Sequence, residues 1–283
     1  MTASAPDDLG LGAWRRDRGT VLRPGAAVPV SDPSPQAIVA ESEAHKVAAE
    51  WSPHSHPMHE LVWVRGGTLT ARIGNRIFTV PNGFGLWLPA GVVHGGRVTA
   101  AAQLHDAFFV PERTPIGYSG PTSITVTPLL ESLLLRLARK DLDEQARART
   151  EAVVFDVIEA TERQFALELP GDPRIDAIAE ALLRDPSDDR GLAEWATLLG
   201  MSDRTITRAF RESTGLSFAQ WRQALRVHQA LALLSAGADV QDVSDQLGYS
   251  HPSTFIAAFR RVMKVTPGLL AKETLSENLY QLS

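Results

Sequence analysis

Apolar residues between Leu192 and Arg261 fall into two passages with the same order of parts. In the first, Leu192, Trp195, Ala196 and Leu199 recur at helical spacing and Gly200 supplies a left-handed turn. Ser202 is placed to cap a second helix that buries Ile206, Ala209, Phe210 and Ser213. In the second, Val240, Val243 and Leu247 precede Gly248, Ser250 is placed as the cap, Pro252 sits in the first turn, and Phe255, Phe259, Val262 and Met263 face inward. Between them Ser217 and Gln220 form a capping-box pattern, opening a helix that runs to Ser235 with Phe218, Trp221 and Leu225 as its stripe. At ~1.5 Å per residue this strut spans roughly 27 Å.

Upstream the period shortens. Leu61–Val64, Thr68–Ile73, Arg76–Val80, Gly85–Leu88, Gly96–Ala101 and Gln103–Phe109 read as strands, with Asn75 and Asn82-Gly83 at hairpin-like turns. Such spacing predicts a small antiparallel barrel or jelly roll. Pro128–Arg139, with Leu129, Leu130, Leu133, Leu134 and Leu137, and Gln145–Thr161, with Val153, Val154, Val157 and Ile158, read as helices. They carry more apolar residues than a lone surface helix needs.

The two C-terminal passages have the helix-turn-helix grammar of DNA readers. Packing of ordinary core helices is the rival reading of either copy alone, but two copies in one order, roughly 50 residues apart, favour DNA. The first reading helix turns Arg204, Thr207, Arg208 and Arg211 outward beside its cap Ser202. The second offers Ser253, Thr254, Ala257 and Arg261, with Ser250, His251 and Arg260 alongside. The strut can hold the two about one DNA turn, roughly 34 Å, apart. The formal net charge of -5 does not argue against DNA, because local clustering of arginine matters more than the sum.

Gly200, Ser202, Arg204, Arg208, Phe210, Gly215, Ser217, Trp221 and Arg226, followed by Gly248-Tyr249, Ser253, Phe255, Phe259-Arg260, Thr266 and Pro267, resemble the DNA-binding domain of the AraC/XylS family of transcription regulators, across Asp172 to Leu270. Two positions depart from the family pattern. Lys264 stands where Gly is usual, and Ala257 where a polar or basic base-reading side chain is common, so the first reading helix is expected to carry more of the direct readout. The resemblance implies promoter DNA and RNA polymerase as partners, and a homodimer through an antiparallel helical contact in residues 121–167. Packing of those helices against the barrel is the competing expectation.

His54-Ser55-His56 puts two imidazoles on one side of an extended strand. With Glu60, Gly67 and the downstream Gly83, Pro89, Gly91 and His94, the pattern is similar to the two cupin motifs. That similarity implies that His54, His56, Glu60 and His94 converge on one divalent metal ion, with Zn, Ni, Fe or Mn all suited to three imidazoles and a carboxylate. Ala48 and Val98 depart from the motifs without removing a ligand. A metal-free pocket for a small organic effector is an alternative. So is a metal-dependent cupin oxygenase or isomerase joined to a DNA-binding domain, although fusion to two reading helices favours sensing, and no catalytic residue is assigned. His59 and His105 are expected outside the ligand set, and Trp63 and Trp87 are candidate pocket residues with core packing as the rival role.

At 283 residues and 44% hydrophobic, the chain has material for more than a DNA-binding module. No apolar run approaches ~20 residues, the N-terminus lacks a basic region followed by a hydrophobic one, and there is no cysteine, which together predict a cytoplasmic protein with no membrane partner. The expected fold class is α+β multidomain: an arm (1–30), a cupin sensor barrel (31–120), a helical dimerisation segment (121–167), a linker (168–172), an all-α double helix-turn-helix domain (173–272) and a tail (273–283). The tail's Glu277 to Gln281 resembles part of a protease-recognition sequence and is assigned no function.

Overall fold

The computed structural model describes residues 19–25, 36–163 and 165–270. Most of the expected arm, and the tail, lie outside the described residues. In chain order the strands are β1 (Val21–Arg23), β2 (Ile38–Ala44), β3 (Ala49–His54), β4 (His59–Arg65), β5 (Thr68–Ile73), β6 (Arg76–Pro81), β7 (Phe84–Leu88), β8 (His94–Val98), β9 (Gln103–Phe109), β10 (Thr122–Thr125) and β11 (Ala166–Glu168). The helices are α1 (Pro128–Leu137), α2 (Glu144–Val157), α3 (Asp176–Arg184), α4 (Leu192–Leu199), α5 (Asp203–Thr214), α6 (Phe218–Ser235), α7 (Val240–Gln246) and α8 (Pro252–Met263).

The strands form two sheets, ordered β1-β3-β8-β5-β6-β11 and β10-β7-β4-β9-β2. Among the described residues all pairings are antiparallel except β1 with β3. Alternation along β4 decides the layers, because successive side chains of a strand point to opposite faces. Val62 and Val64 join an inner core with Leu69, Phe78, Leu86, Val98 and Leu104. Leu61 and Trp63 join an outer core with Trp87, Phe109 and the helices α1 and α2.

Those helices use their apolar surplus inside the protomer. Leu130, Leu134, Leu137, Val154 and Ile158 are buried against the outer sheet face, which accounts for the leucine density that the sequence pattern associates with a dimer contact. Leu129 alone of the α1 leucines is strongly exposed, at 55%, and Val153 on α2 is 39% exposed. Two buried side chains fasten α2: Glu151 accepts from the backbone N–H of Ala37 and Ile38 (3.0 and 3.1 Å), and Arg147 donates to the Ile38 carbonyl of β2 (3.4 Å) and the Leu137 carbonyl of α1 (2.9 Å).

Two domain expectations change. Residues 21–23 of the expected arm are strand β1, and the expected linker is not a free connection. Glu168 ends β11, Leu169 N–H donates to the Asn75 carbonyl (2.6 Å), and Trp221 Nε1 donates to the Glu168 carbonyl (2.7 Å). Ile77, Leu167 and Leu169 then share one core with Trp221 and Leu225, so α6 lies against β6 and β11. Burying that apolar surface, rather than keeping a solvated tether, is what holds the segment.

The helix termini follow the sequence in most cases. Ser202 caps α5 by accepting from Thr205 N–H, and Ser217 and Gln220 form the capping box of α6. Ser250 does not cap α8; the cap position is His251, with no side-chain bond, and Pro252 opens the helix. Lys264 ends α8 at φ 64°, the left-handed region, which explains why glycine suits that position. Among the described residues no helix is long and apolar enough to cross a membrane.

Candidate ligand and DNA-binding sites

His54 ends β3, His94 begins β8 directly opposite it, and His56 follows β3 by two residues, which brings one ring nitrogen from each within 4.8 Å of the others. Glu60 comes from the facing sheet. Its Oε2 lies 3.4 Å from His56 Nε2 and 3.3 Å from His94 Nε2. The far nitrogens of two rings are anchored: His54 Nδ1 bonds the Ser52 carbonyl (2.7 Å) and His94 Nδ1 the Val92 carbonyl (2.9 Å). These bonds fix Nε2 as the free nitrogen of both rings, the second-shell arrangement that orients metal-ligating histidines. Glu60 Oε2 is buried and has no hydrogen-bond partner, so the cluster holds a carboxylate oxygen that protein donors do not satisfy. The four residues fit a divalent ion.

Burial opposes ionisation of Glu60, yet the His56 and His94 imidazoles hold its carboxyl down to about 2. Burial lowers His94, but the Glu60 carboxylate beside it outweighs that and raises the group. His54 is lowered, chiefly by burial. Asp106 on β9 is raised well above the usual carboxylate range by burial, by Glu60 and by Glu41 and Glu43. The cupin spacing gives no hint of Asp106, which reaches the site through pairing of β9 with β4. Gly25 is a second residue outside the motif: a Cβ there would lie 2.2 Å from His54 Cβ, so only glycine lets this segment cross the ring.

Trp63 and Trp87 are not at this site. Trp63 has the opposite parity to Glu60 on β4 and stacks on His105 at 4.9 Å, while Trp87 stacks on His59 at 5.3 Å, both within the outer core. His105 Nδ1 pairs with Ser42 Oγ (2.6 Å), and burial pushes the ring down to about 4. Both histidines stay outside the four-residue cluster.

On α5, Ser202, Arg204, Arg208 and Arg211 are exposed and Thr207 is half-buried, while Ile206, Ala209 and Phe210 are buried. Arg208 Nε stands 3.7 Å from Glu212 Oε1 on the same helix face, an exposed pair that yields readily to a phosphate or base. On α8 and its lead-in, Ser250, His251, Ser253, Thr254, Ala257, Arg260 and Arg261 are exposed. Arg261 Nη1 donates to Gln223 Oε1 on α6 (3.0 Å), which places it where the second reading helix meets the strut.

A family model described as an AraC-like ligand binding domain matches residues 39–153, and one described as a helix-turn-helix domain matches residues 195–273. The HTH-type transcriptional regulator NimR of Escherichia coli is 32% identical over 219 residues, covering 76% of this chain and 80% of that protein. The chain belongs to the AraC family of transcriptional regulators. RipA of Corynebacterium glutamicum is 29% identical over 212 residues, covering 73% of this chain and 60% of that protein. RhaR of Cronobacter sakazakii is 23% identical over 259 residues, with 83% and 90% covered. In this AraC-family regulator the paired sheets form the ligand-binding domain and the helices from α4 onward the DNA-binding domain.

The strut of the regulator is fastened to both helix-turn-helix units by one side chain. Arg226 on α6 donates to the carbonyls of Pro186 (2.7 Å), Asp188 (3.1 Å), Ser187 (3.4 Å) and Gly248 (3.5 Å). The first three precede α4 and the last is the turn between α7 and α8.

Proposed function

We propose that this regulator holds a divalent metal ion, of the Zn, Ni, Fe or Mn kind, on His54, His56, Glu60 and His94, and that loading of the site sets its affinity for operator DNA. The observation that carries this reading is the convergence of three imidazoles, with the buried Glu60 Oε2 beside two of them at 3.4 and 3.3 Å. A bound cation would supply the positive charge that joins Glu60, from one sheet, to the histidines of the other. The remaining parts belong to the chain. His54 and His94 sit on β3 and β8, and the same sheet continues through β5 and β6 to β11, where α6 and Trp221 rest. A shift of that sheet on loading therefore reaches the strut of the DNA-binding domain, provided the two states differ in metal affinity.

Metal analysis and operator titration of full-length protein purified without chelator test the reading. A His54→Ala/His56→Ala variant is expected to lose stoichiometric metal and keep its fold, because two ligands do not hold a closed site. Chelation should change operator affinity of the wild type and not of the variant. Metal-free wild type that takes up none of the four metals would end the metal reading and leave the regulator in place.

The reading of DNA is assigned to Ser202, Arg204, Thr207, Arg208 and Arg211 of the first unit, and to Ser250, His251, Ser253, Thr254, Arg260 and Arg261 of the second. Arg208→Ala is expected to cost ~1–3 kcal/mol on the specific operator and to relax preference at one base pair. Arg261→Ala should weaken all sequences alike and flatten the salt dependence, since a phosphate contact carries no sequence information. Unchanged footprints and affinities in both would overturn the assignment.

A homodimer is assigned to the outward faces of α1 and α2. Because Leu137 lies in the protomer core, glutamate there would unfold the domain rather than dissociate a dimer. Leu129→Glu with Val153→Glu is the informative change: both sites are exposed in the protomer, so the variant should stay folded and sediment as a monomer. Wild type that is itself monomeric at micromolar concentration would sink the assignment.

A further inference from the structure

We propose that the side between the two sheets at which β1 and β2 end is a binding site for a guanidinium compound, and that Arg23 is the built-in occupant such a compound displaces. The assignment rests on the sensor reading of the N-terminal domain and gives it the chemical class of an organic effector. It lies at residues that the four-residue metal cluster does not use.

Strand register places the side chains. Arg23 pairs with Trp51 across β1 and β3, and Trp51 shares the parity of Ala49, which packs in the inner core. On the facing sheet Glu41 pairs with Asp106 and Glu43 with Leu104, and Leu104 belongs to the same core. Arg23 and Trp51 on one side, and Glu41, Glu43 and Asp106 on the other, therefore face the space between the layers. This is the side at which β1 ends one sheet and β2 ends the other.

The contacts within that space are those of a bound planar cation. Arg23 Nη1 donates to both carboxylate oxygens of Glu43, at 2.7 and 2.9 Å, and the guanidinium carbon stands 5.7 Å from the centre of the Trp51 ring. A carboxylate beside an aromatic face is how proteins hold guanidinium groups. Among the described residues Arg23 faces the two carboxylates Glu41 and Glu43, with Asp106, which burial and Glu60 raise well above the usual carboxylate range, beside them, so the site disfavours anions. Next to it the His45 side chain is only 2% exposed and meets Trp51 edge-on at 5.3 Å. Its Nε2 lies 3.7 Å from Glu43 Oε2 and has no hydrogen-bond partner among the described residues. A buried ring nitrogen left unpaired at the same carboxylate marks a polar site that Arg23 fills incompletely.

The occupant is also easy to displace. β1 has three residues, with Val21 43% and Leu22 60% exposed, and the ion pair itself remains 37% and 49% exposed. A free ligand competes with an intramolecular one whose effective concentration is set by the chain, so removing Arg23 should raise ligand affinity.

Calorimetric titration of the full-length protein with methylguanidine tests the proposal, with n-butylamine as the ammonium counterpart and N-methylurea as the planar neutral control. Arg23→Ala is expected to bind methylguanidine at least tenfold more tightly than wild type, n-butylamine more weakly, and N-methylurea not measurably. Glu43→Gln added to Arg23→Ala should remove at least tenfold of that affinity. Arg23→Gln, which keeps the stem, serves if the alanine variant fails to fold by circular dichroism. Methylguanidine held no better than N-methylurea, or held equally after Glu43→Gln, would overturn the proposal. Metal content and operator affinity of the same samples separate the two readings. Methylguanidine binding by protein that takes up no metal would remove the metal site and support this one.

Discussion

Replacing Arg226 with alanine is expected to destabilise the DNA-binding domain by about 3 kcal/mol and to weaken operator binding at least tenfold. The side chain is buried, and its guanidinium satisfies carbonyls from two places far apart in sequence: residues 186–188 ahead of α4, and Gly248 between α7 and α8. Hydrogen bonds from a charged donor contribute about 1.5–3 kcal/mol each, and acceptors left without partners in a buried site add to the loss. The two backbone segments are already pressed together. Gly248 has φ +72°, and a Cβ on it would lie 2.9 Å from the Ser187 carbonyl oxygen. Without Arg226 the turn of the second unit loses its tie to the first, and the two reading helices lose the fixed separation that the proposed contact with successive grooves requires. Arg226→Lys should fall between, since one ammonium cannot reach carbonyls spread across the guanidinium plane. Urea unfolding and operator titration check both effects. A wild-type midpoint in the alanine variant would show that the carbonyls find other donors.

The parts of this chain that could be read from sequence are those whose signal is local. Thr68–Ile73 is a strand at the expected residues because alternation there is unbroken, Gln103–Phe109 because a short apolar run bounded by turn residues marks it, and Ser202 and Ser217 cap helices because capping needs only three residues of context. β2 escaped for a physical reason. Its inward-facing residues include Glu41 and Glu43, so its polar face points toward the layer interior and the usual pattern is absent. β11 is three residues held by β6, and no local feature announces it. The four-residue cluster was legible through its motif. Asp106, Gly25, His45 and Arg23 were not, because sheet pairing rather than spacing brings them in. Trp63 could have been excluded as a pocket residue from parity alone, being an odd number of positions from Glu60 on one strand. The leucines of α1 show the opposite limit: their density is plain in the sequence, but the surface that covers them is the barrel's own outer face.

His228→Leu is expected to remove about 2.5 kcal/mol of acid sensitivity between pH 7.5 and pH 4.5. Trp221, Leu225 and His228 lie four and three residues apart on α6, on the face whose Trp221 bonds the Glu168 carbonyl, so His228 is turned toward the ligand-binding domain. It is buried, its Nδ1 has no hydrogen-bond partner, and burial holds the imidazole down to about 4 from its ordinary 6.5. As pH falls below 6.5 the unfolded chain takes up the proton first, while the folded chain stays neutral until about 4. The unfolded state then binds more protons, so stability present in full above 6.5 declines at about 1.4 kcal/mol per pH unit across that window. Leucine has no proton to take up and removes an unpaired polar atom, so the variant should gain on the wild type as the solution is acidified. The wild-type curve alone would not isolate this effect. Asp106, raised by burial and by Glu60, keeps its proton when folded and contributes with the opposite sign, as does His94. Both groups are present in the two proteins, so the difference in unfolding free energy between variant and wild type cancels them. A difference that stays flat from pH 7.5 to 4.5 would mean that His228 meets water in the folded protein, and with it that α6 does not seal against the ligand-binding sheet. A difference that grows toward acid would place the loosening at the layer joining the two domains, where α6 lies against β5, β6 and β11.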